Sequence, residues 1–592
     1  MGRADRDGRA ALVQRTQPVV GHLAAAGRAA WTARARVGLA GDTGRLGGIE
    51  ATEGDVMTLR QKLAFGVSMI GLIIRIGIVL VKPEVLWLDD SFYSLGIARN
   101  IALGKGWTHD GVHVTNGFQP LYVFIMVPFY AVLPGSEHLV PMLSLVMEAI
   151  LNVATGLLLF RLIDSQIGFR GALLSLIAWS LSPYIISGVN GLETPIQAFL
   201  LILIVTLYLG SWRFALIDAA TSLQRRSRIA LGLGFLLGLL VLVRIDSLVL
   251  VAMLLADLVL RFVLYLRHDR TRVRVLWGVV LVGAIVFVTQ LPWFAASWIY
   301  TGRLAFDSGA ATRLYSRAHF TGDNIFLTHL FGLIPYLQLR TGTPFLPWSA
   351  MMPFRYFFVS ILVLVGVYLL AYRTGKIQFD AFAFIKNSAF LWFYGIGLLG
   401  AYVFYQFTMW NWPRYFYPLS MLGLILLGVW VEVICGSLQN VSLANRSLGS
   451  IVYALLCIGF VVTLPFSLPA DINPLLAHPE DWFTKTQYEA AVWLKRNTPV
   501  DARIGAFQSG IIGYYSDRQV INLDGVVNYA AIPYNVNGDT AIYLADEGVD
   551  YFVEWSMFFQ RVKFGEAGLS ATVVKTFEGT NDITIVSLSS QR

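Results

Sequence analysis

The chain has 592 residues, of which 56% are hydrophobic and 14% charged. Soluble domains carry about 25% charged residues, so most of this chain is excluded from water. The formal net charge of +8 does not point to nucleic acid, because the arginines sit mainly in short connections between apolar runs, where membrane topology requires them.

In chain order, residues 1–60 are rich in Arg, Ala and Gly and read as a basic, disordered cytoplasmic tail. The same composition fits an upstream extension of a frame starting at Met57. The apolar run from Leu63 is about 20 residues long without a small-residue cleavage site, so it is expected to remain as a signal anchor. Apolar segments recur at 63–81, 119–134, 139–160, 171–187, 194–210, 229–243, 247–266, 275–297, 354–372, 388–407, 415–435 and 448–468. Three connections are basic: Arg213 with Arg225, Arg226 and Arg228; Arg261, Arg267, Arg270, Arg272 and Arg274; and Arg373, Lys376 and Lys386. A cytoplasmic tail and cytoplasmic basic connections agree only if one early segment does not cross. Gln119–Pro134 is short and interrupted by Pro128, so it reads as a helix at or dipping into the outer interface. The expected fold is therefore an all-α polytopic bundle of about 11 transmembrane helices, over residues 61–470, in the plasma membrane with the N-terminus inside. Both cysteines, Cys435 and Cys457, lie in apolar runs and read as small buried hydrophobes. Residues 471–592 change character: a helical stretch at Tyr488–Arg496, then strand-like Arg503–Phe507, Val520–Leu523 and Tyr551–Trp555, predict a small extracytoplasmic α/β domain. No internal repeat and no glycine-rich nucleotide motif is present.

The first outer loop holds Trp87-Leu-Asp-Asp-Ser-Phe-Tyr-Ser-Leu-Gly-Ile-Ala-Arg-Asn100. Adjacent Asp89 and Asp90 repel each other and need water, a cation or a partner. Phe92, Leu95, Ile97, Ala98 and Ile101 suit an amphipathic helix lying along the membrane. The plain structural alternative is a helix start, with Asp90 capping free backbone amides. In Asn190-Gly-Leu-Glu-Thr-Pro195, Glu193 stands between two apolar spans, on the same side as the aspartates by this topology, although a helix-start carboxylate favoured by the dipole is equally natural there. Arg244 and Asp246 sit within apolar sequence, where ionisable groups are functional candidates unless they pair with each other. Arg414 and Tyr415 lie in Trp410-Asn-Trp-Pro-Arg-Tyr-Phe-Tyr-Pro418, a turn whose aromatics fit an interface belt. A guanidinium fork there matches phosphate oxygens; Arg313 in the long loop is a further cationic candidate.

Asp89-Asp90 with Tyr93, Ala98-Arg99-Asn100, Gly104-Lys-Gly-Trp-Thr108 and Thr115-Asn-Gly-Phe-Gln-Pro-Leu-Tyr122 resemble the first loop of GT-C-type glycosyltransferases. That superfamily includes protein O-mannosyltransferases, the lipid A aminoarabinose transferase and mycobacterial arabinofuranosyltransferases. The Gly191-Leu-Glu-Thr turn, Pro292-Trp293 with Asp307-Ser-Gly, and the Arg-Tyr-Phe-Tyr-Pro418 turn also resemble its bacterial members. Gln119 stands where many of them carry His. Trp493-Leu-Lys-Arg-Asn-Thr-Pro, Arg503-Ile-Gly-Ala-Phe and Val520-Ile-Asn-Leu-Asp-Gly-Val-Val-Asn528 are similar to outer domains appended to such enzymes.

The resemblance implies inverting transfer of a sugar from a polyprenyl-phosphate donor to a glycan, protein or lipid acceptor outside the cytoplasm. Asp89 or Asp90 would be the general base. Arg244, Arg414 and Arg313 would bind the donor phosphate. Tyr93, Arg99, Asn116, Gln119, Asp246 and Tyr415 would line the substrate site. Glu193 would orient the acceptor or, with Asp90, hold a divalent cation such as Mg, Mn or Ca, which some members need and others do not. A transporter or lipid flippase is the rival class; it predicts repeat-related halves with broken helices at midplane, and the sequence has no such symmetry.

Overall fold

The computed structural model describes residues 58–182, 188–218, 220–265, 272–319, 381–402, 413–443, 446–463, 484–579 and 581–590. The chain divides into two units, Met1–Thr58 and Leu59–Arg592. The basic tail up to residue 57, the span expected at 354–372, the basic positions Arg373 and Lys376, and Trp410–Trp412 lie outside the described residues.

The helices follow the apolar runs. In chain order they are α1 (Leu59–Val81), α2 (Asp89–Ala102), α3 (Pro120–Val132), α4 (Leu139–Gln166), α5 (Phe169–Leu181), α6 (Thr194–Leu207), α7 (Leu223–Val243), α8 (Leu248–Tyr265), α9 (Arg272–Thr301), α10 (Asp307–His319), α11 (Ala389–Gly400), α12 (Pro413–Ser437) and α13 (Leu448–Thr463). Helix α6 continues through a π-turn at Tyr208–Trp212 to Ile217. Six of these helices are long and apolar enough to cross a membrane: α1, α4, α6 with its extension, α7, and segments Leu276–Thr301 and Tyr417–Ser437. The protein is a multi-pass membrane protein. Helix α3 has 13 residues, about 20 Å at 1.5 Å per residue, shorter than a bilayer core.

Where helices pack without the hydrophobic effect to press them together, small residues let backbones approach. Gly234 and Gly238 on α7 form such a seam against α9: a Cβ at Gly238 would stand 2.6 Å from Thr289 Cβ, and one at Gly234 2.8 Å from the Val282 carbonyl oxygen. Gln290 of α9 adds a 2.8 Å hydrogen bond to the Gly238 carbonyl. Buried Arg75 on α1 donates to the carbonyls of Gly71, Ser180 and Trp179. It thereby satisfies acceptors at the end of α5 that no helix bond reaches.

Polarity of the bundle follows from its arginines. Arg213 and Arg261 both donate to the Asn387 carbonyl, at 2.6 and 3.2 Å, so the described parts of the three basic connections meet at one end. Arg244 and Asp246 sit at the other end of α7 and α8, a helix length away.

The C-terminal region carries α14 (Lys485–Asn497), β1 (Arg503–Ala506), α15 (Gly510–Tyr515), β2 (Gln519–Asn522), α16 (Ala531–Asn537), α17 (Thr540–Asp546), β3 (Tyr551–Trp555), β4 (Leu569–Phe577) and β5 (Ile583–Ser590). The sheet order is β2-β1-β3-β5-β4. β1 is parallel to β2 and β3, and β5 is antiparallel to β3 and β4. The expected α/β character and three of the five strands are those of the sequence reading.

One expectation is corrected. Helix α2 does not present one apolar face and one wet face. Phe92, Leu95, Ile97 and Ala98 are fully buried, and so are Ser91, Ser94 and Asn100. A helix buried on both its apolar and its polar faces belongs largely to a core: α2 packs between α3 and α15 of the C-terminal region. Substituting Gly238→Val should force α7 and α9 apart at a cost of about 1–3 kcal/mol, measured as a lower melting temperature in detergent; an unchanged melting temperature would contradict the seam.

Candidate active site

Three turns and a helix end bring the charged residues together. The turn after residue 188 is held from two sides. Glu148, buried in the middle of α4, accepts the amides of Asn190 and Gly191, both at 3.0 Å. Ser91 on α2 donates to the Asn190 carbonyl, and Tyr122 donates to the Gly191 carbonyl at 2.6 Å. Gly191 has φ +80 and lies against Ser91, a backbone state that suits glycine. These bonds set Glu193 beside the α2 N-terminus, which carries Asp90.

Arg244 fills the space between. Its guanidinium bonds Glu193 at 2.5 Å, Asp246 at 2.8 and 3.0 Å, and Tyr402 at 2.7 Å. Gln197 and Tyr402 also donate to Asp246. A buried cation is tolerated because each of its three nitrogens donates to an acceptor. Tyr402 stacks on Tyr415, with ring centroids 4.9 Å apart. Both Arg244 and Arg414 stand over the Tyr415 ring, at 5.4 and 5.1 Å. Arg414 then pairs with Asp90 at 2.6 Å. Asp90, Arg414, Tyr415, Arg244, Glu193 and Asp246 thus form one connected cluster. Its most open members are Asp90, with 32% of its side chain exposed, and Arg414, with 20%.

Asp89 faces elsewhere. Its carboxylate accepts the Gly510 and Ile511 amides at 3.1 and 2.8 Å. The aspartate pair does not cap its own helix, which has no side-chain cap; Asp89 caps α15 of the C-terminal region. Tyr93 accepts from the Ser509 amide and donates to the Phe507 carbonyl. Arg99 donates to the Tyr514 carbonyl at 2.9 Å and covers its ring at 4.3 Å. Tyr93 and Arg99, expected to line the substrate site, instead dock the C-terminal region. Asn116 is likewise enclosed: its amide bonds Ser297, Ala305 and Asp307, within a network that includes Thr115 and Arg303. Gln119, half-buried, precedes Pro120 at the start of α3. Arg313 lies on α10.

The sequence reading missed Glu148, Tyr402 and Gln197, which organise the cluster. A lone acid in an apolar helix was the available signal for Glu148. The two carboxylates offered to a cation, Asp90 and Glu193, are each paired with an arginine. Among the described residues no group of three or more His, Cys, Asp or Glu converges on one point. Among the described residues this donor set is taken up by guanidinium groups.

Residues 479–587 match a domain of unknown function, DUF8728. No curated protein matches by sequence. By structure the chain is similar to ArnT from Cupriavidus metallidurans bound to undecaprenyl phosphate, with a TM-score of 0.53, 12% identity, and coverage of 89% of this chain and 97% of that one. The oligosaccharyltransferase of Archaeoglobus fulgidus in complex with Zn and sulfate follows at 0.51, 14% identity, 88% of this chain and 72% of that one. The same archaeal enzyme, AglB, with an inhibitory peptide and a dolichol-phosphate, gives 0.50, 14%, 88% and 74%. The chain has a GT-C-type fold. Within that GT-C-type fold the acidic first loop, the Glu193 turn and the Arg414 turn meet at one end of the bundle, opposite the basic connections.

Three carboxyls around the docked α15 share one electrostatic condition. Burial raises Asp89 to about 7; the Ile511 amide opposes this and the Asp90 charge adds to it. Burial likewise raises Asp524 and Glu554 to about 7, against their backbone amide bonds, and each also feels the Asp89 charge. A carboxyl raised in the folded state contributes stability that is present below its unfolded value, and loses it as pH rises through the folded value. Docking of the C-terminal region should therefore weaken between about pH 4 and about pH 7. Limited proteolysis between α13 and α14 at pH 5.5 and 8.5 tests this: faster release of the C-terminal fragment at pH 8.5 is expected, and equal or slower release would contradict it.

Proposed function

We propose that the protein is a membrane glycosyltransferase that moves a sugar from a polyprenyl-phosphate donor to an extracytoplasmic acceptor hydroxyl, with inversion at the anomeric carbon. The observation that carries this reading is the Asp90–Arg414 pair at the more open edge of the cluster. Support comes from the GT-C-type fold and from the undecaprenyl phosphate and dolichol-phosphate bound by the two similar proteins. We infer about 11 spans, with the cluster on the extracytoplasmic side.

The pairing suggests an order of events. Arg414 Nε is buried with no hydrogen-bond partner among the described residues, and a guanidinium fork binds phosphate on two edges. A donor phosphate would take Arg414 from Asp90 and leave that carboxylate free as a base. The acceptor hydroxyl gives its proton to Asp90 as its oxygen attacks the anomeric carbon. The bond from that carbon to the phosphate oxygen breaks, and its electron pair leaves on the polyprenyl phosphate. Arg414 stabilises the charge that grows there. Arg244, held by Glu193, Asp246 and Tyr402, supports Arg414 through the shared Tyr415 ring and adds positive potential. Asp89 positions the loop, because both of its oxygens are already occupied by α15 amides.

The two aspartates should separate experimentally. Asp90→Asn should lower transfer by about a hundredfold or more, the range for a lost general base, with normal folding and membrane insertion. Asp89→Asn should chiefly loosen the C-terminal region. Mass analysis of cell-envelope glycans in a strain lacking the gene, complemented with each variant, reads the outcome. A wild-type glycan profile with Asp90→Asn would remove the base and the reading with it.

A further inference from the structure

A second charged group lies at the end of the bundle opposite Asp90 and Arg414, and the transfer mechanism does not use it. Asp257, buried on α8, accepts the Tyr208 hydroxyl at 2.6 Å and takes Arg261 Nε at 2.9 and 3.0 Å on its two oxygens. Tyr208 opens the π-turn of α6, a widening of the helix found frequently at functional positions. Its ring meets Phe390 of α11 edge-on, with centroids 5.1 Å apart. Ionisable groups within membrane helices are expensive, which makes this one a functional candidate.

Two guanidiniums converge beside it. Arg261 donates to the Asn387 carbonyl at 3.2 Å. Arg213, which stands over the Tyr208 ring, donates to the same carbonyl at 2.6 Å. Sharing one oxygen keeps the two nitrogens within about 6 Å of each other, where like charges repel. Exposed Lys386 is the chain neighbour of Asn387. Among these residues one carboxylate, Asp257, stands against three cations. Membrane topology asks for basic residues in the connections; it does not ask for two of them on one neutral carbonyl.

The chain around these cations is apolar and open. Phe214 next to Arg213, Leu260 and Val263 flanking Arg261, and Ile385 next to Lys386 are all exposed. A soluble anion would use the cations alone. A phosphate carried on acyl chains uses the apolar rim as well, and that combination selects a membrane lipid.

We propose that Arg213, Arg261 and Lys386 bind the phosphate of an anionic glycerophospholipid in the leaflet at the basic end of the bundle. The phosphate adds acceptors to two guanidiniums that share one, and their planar forks match its oxygens. The acyl chains lie against Phe214, Leu260 and Ile385. Basic recesses between membrane helices recognise acidic lipids in this way. The far ends of the same helices surround Arg244: α6 begins after Glu193, α8 begins after Asp246, and α11 leads into Tyr402. The lipid therefore clasps the basic ends of the three helices that hold the outer cluster. Its binding does not depend on sugar transfer.

Native mass spectrometry of the purified full chain, given equal amounts of phosphatidylglycerol and phosphatidylcholine with the same acyl chains, tests this. The chain should retain phosphatidylglycerol in preference, and Arg213→Gln with Lys386→Gln should cut that preference about tenfold or more, the scale of two charges lost at a membrane surface. Arg261 is kept, because its loss would strand buried Asp257. Arg225→Gln with Arg228→Gln removes two exposed charges from the same end and should leave the preference unchanged. An equal loss there means diffuse attraction to the basic end and overturns the site. Should the double variant with Lys386 melt lower than the unsubstituted protein, Lys386→Gln alone decides, with an expected loss of about fivefold. No preference in the unsubstituted chain, or an undiminished one in the deciding Lys386 variant, overturns the proposal. Inorganic phosphate at millimolar concentration should not displace the lipid; displacement means a site for free phosphate and overturns the lipid assignment.

Discussion

A guanidinium placed inside a membrane protein must be surrounded by acceptors, and Arg244 is. Its pairing with Glu193, Asp246 and Tyr402 ties the start of α6, the α7–α8 turn and the residues after α11 into one unit. Removing any one acceptor leaves a buried guanidinium donor unpaired, at a cost of about 1–3 kcal/mol. The same constraint fixes the aromatic pair Tyr402–Tyr415, which in turn presents Arg414 at the edge. The strong electrostatics of the closed half of the cluster make the open half, Asp90 and Arg414, a defined place instead of a mobile surface pair.

Sequence made much of this legible, for identifiable reasons. Apolar runs mark membrane helices because the bilayer has one thickness, and basic connections mark one side because charge sets topology. Acids and arginines in apolar context had to find each other, so Asp90, Glu193, Arg244, Asp246, Arg414 and Tyr415 were recognisable as candidates. What the sequence could not supply was distance across the chain. Asp89 and Asp90 are neighbours with opposite assignments: one faces amides more than four hundred positions away, about which local pattern says nothing, and the other faces Arg414. Tyr93 and Arg99 misled for the same cause. They were substrate-site candidates through the resemblance, but the surface they meet is provided by a later domain. Glu148 was overlooked because a single acid in an apolar helix of 28 residues leaves the hydropathy of that helix unchanged.

The union of bundle and C-terminal domain is therefore part of the site's construction. Asp89 joins them through amides, Tyr93 through a bridge of two backbone bonds, Lys495 through Glu137 at 2.9 Å, and Tyr130 through Tyr514 at 2.9 Å. Each is polar and directional, so the domain meets the bundle in one register. One of these groups, the Asp89 carboxyl, is raised by burial to about 7, and the join is accordingly sensitive to protonation where an apolar interface would not be.

The central claim is that Arg414 receives the donor phosphate and in doing so frees Asp90. An experimental structure of the full chain with undecaprenyl phosphate addresses it directly. The account predicts phosphate oxygens within hydrogen-bonding distance of the Arg414 guanidinium, with the Asp90 carboxylate separated from it and open to the cleft. A phosphate seated elsewhere, with the Asp90–Arg414 pair intact, would contradict it.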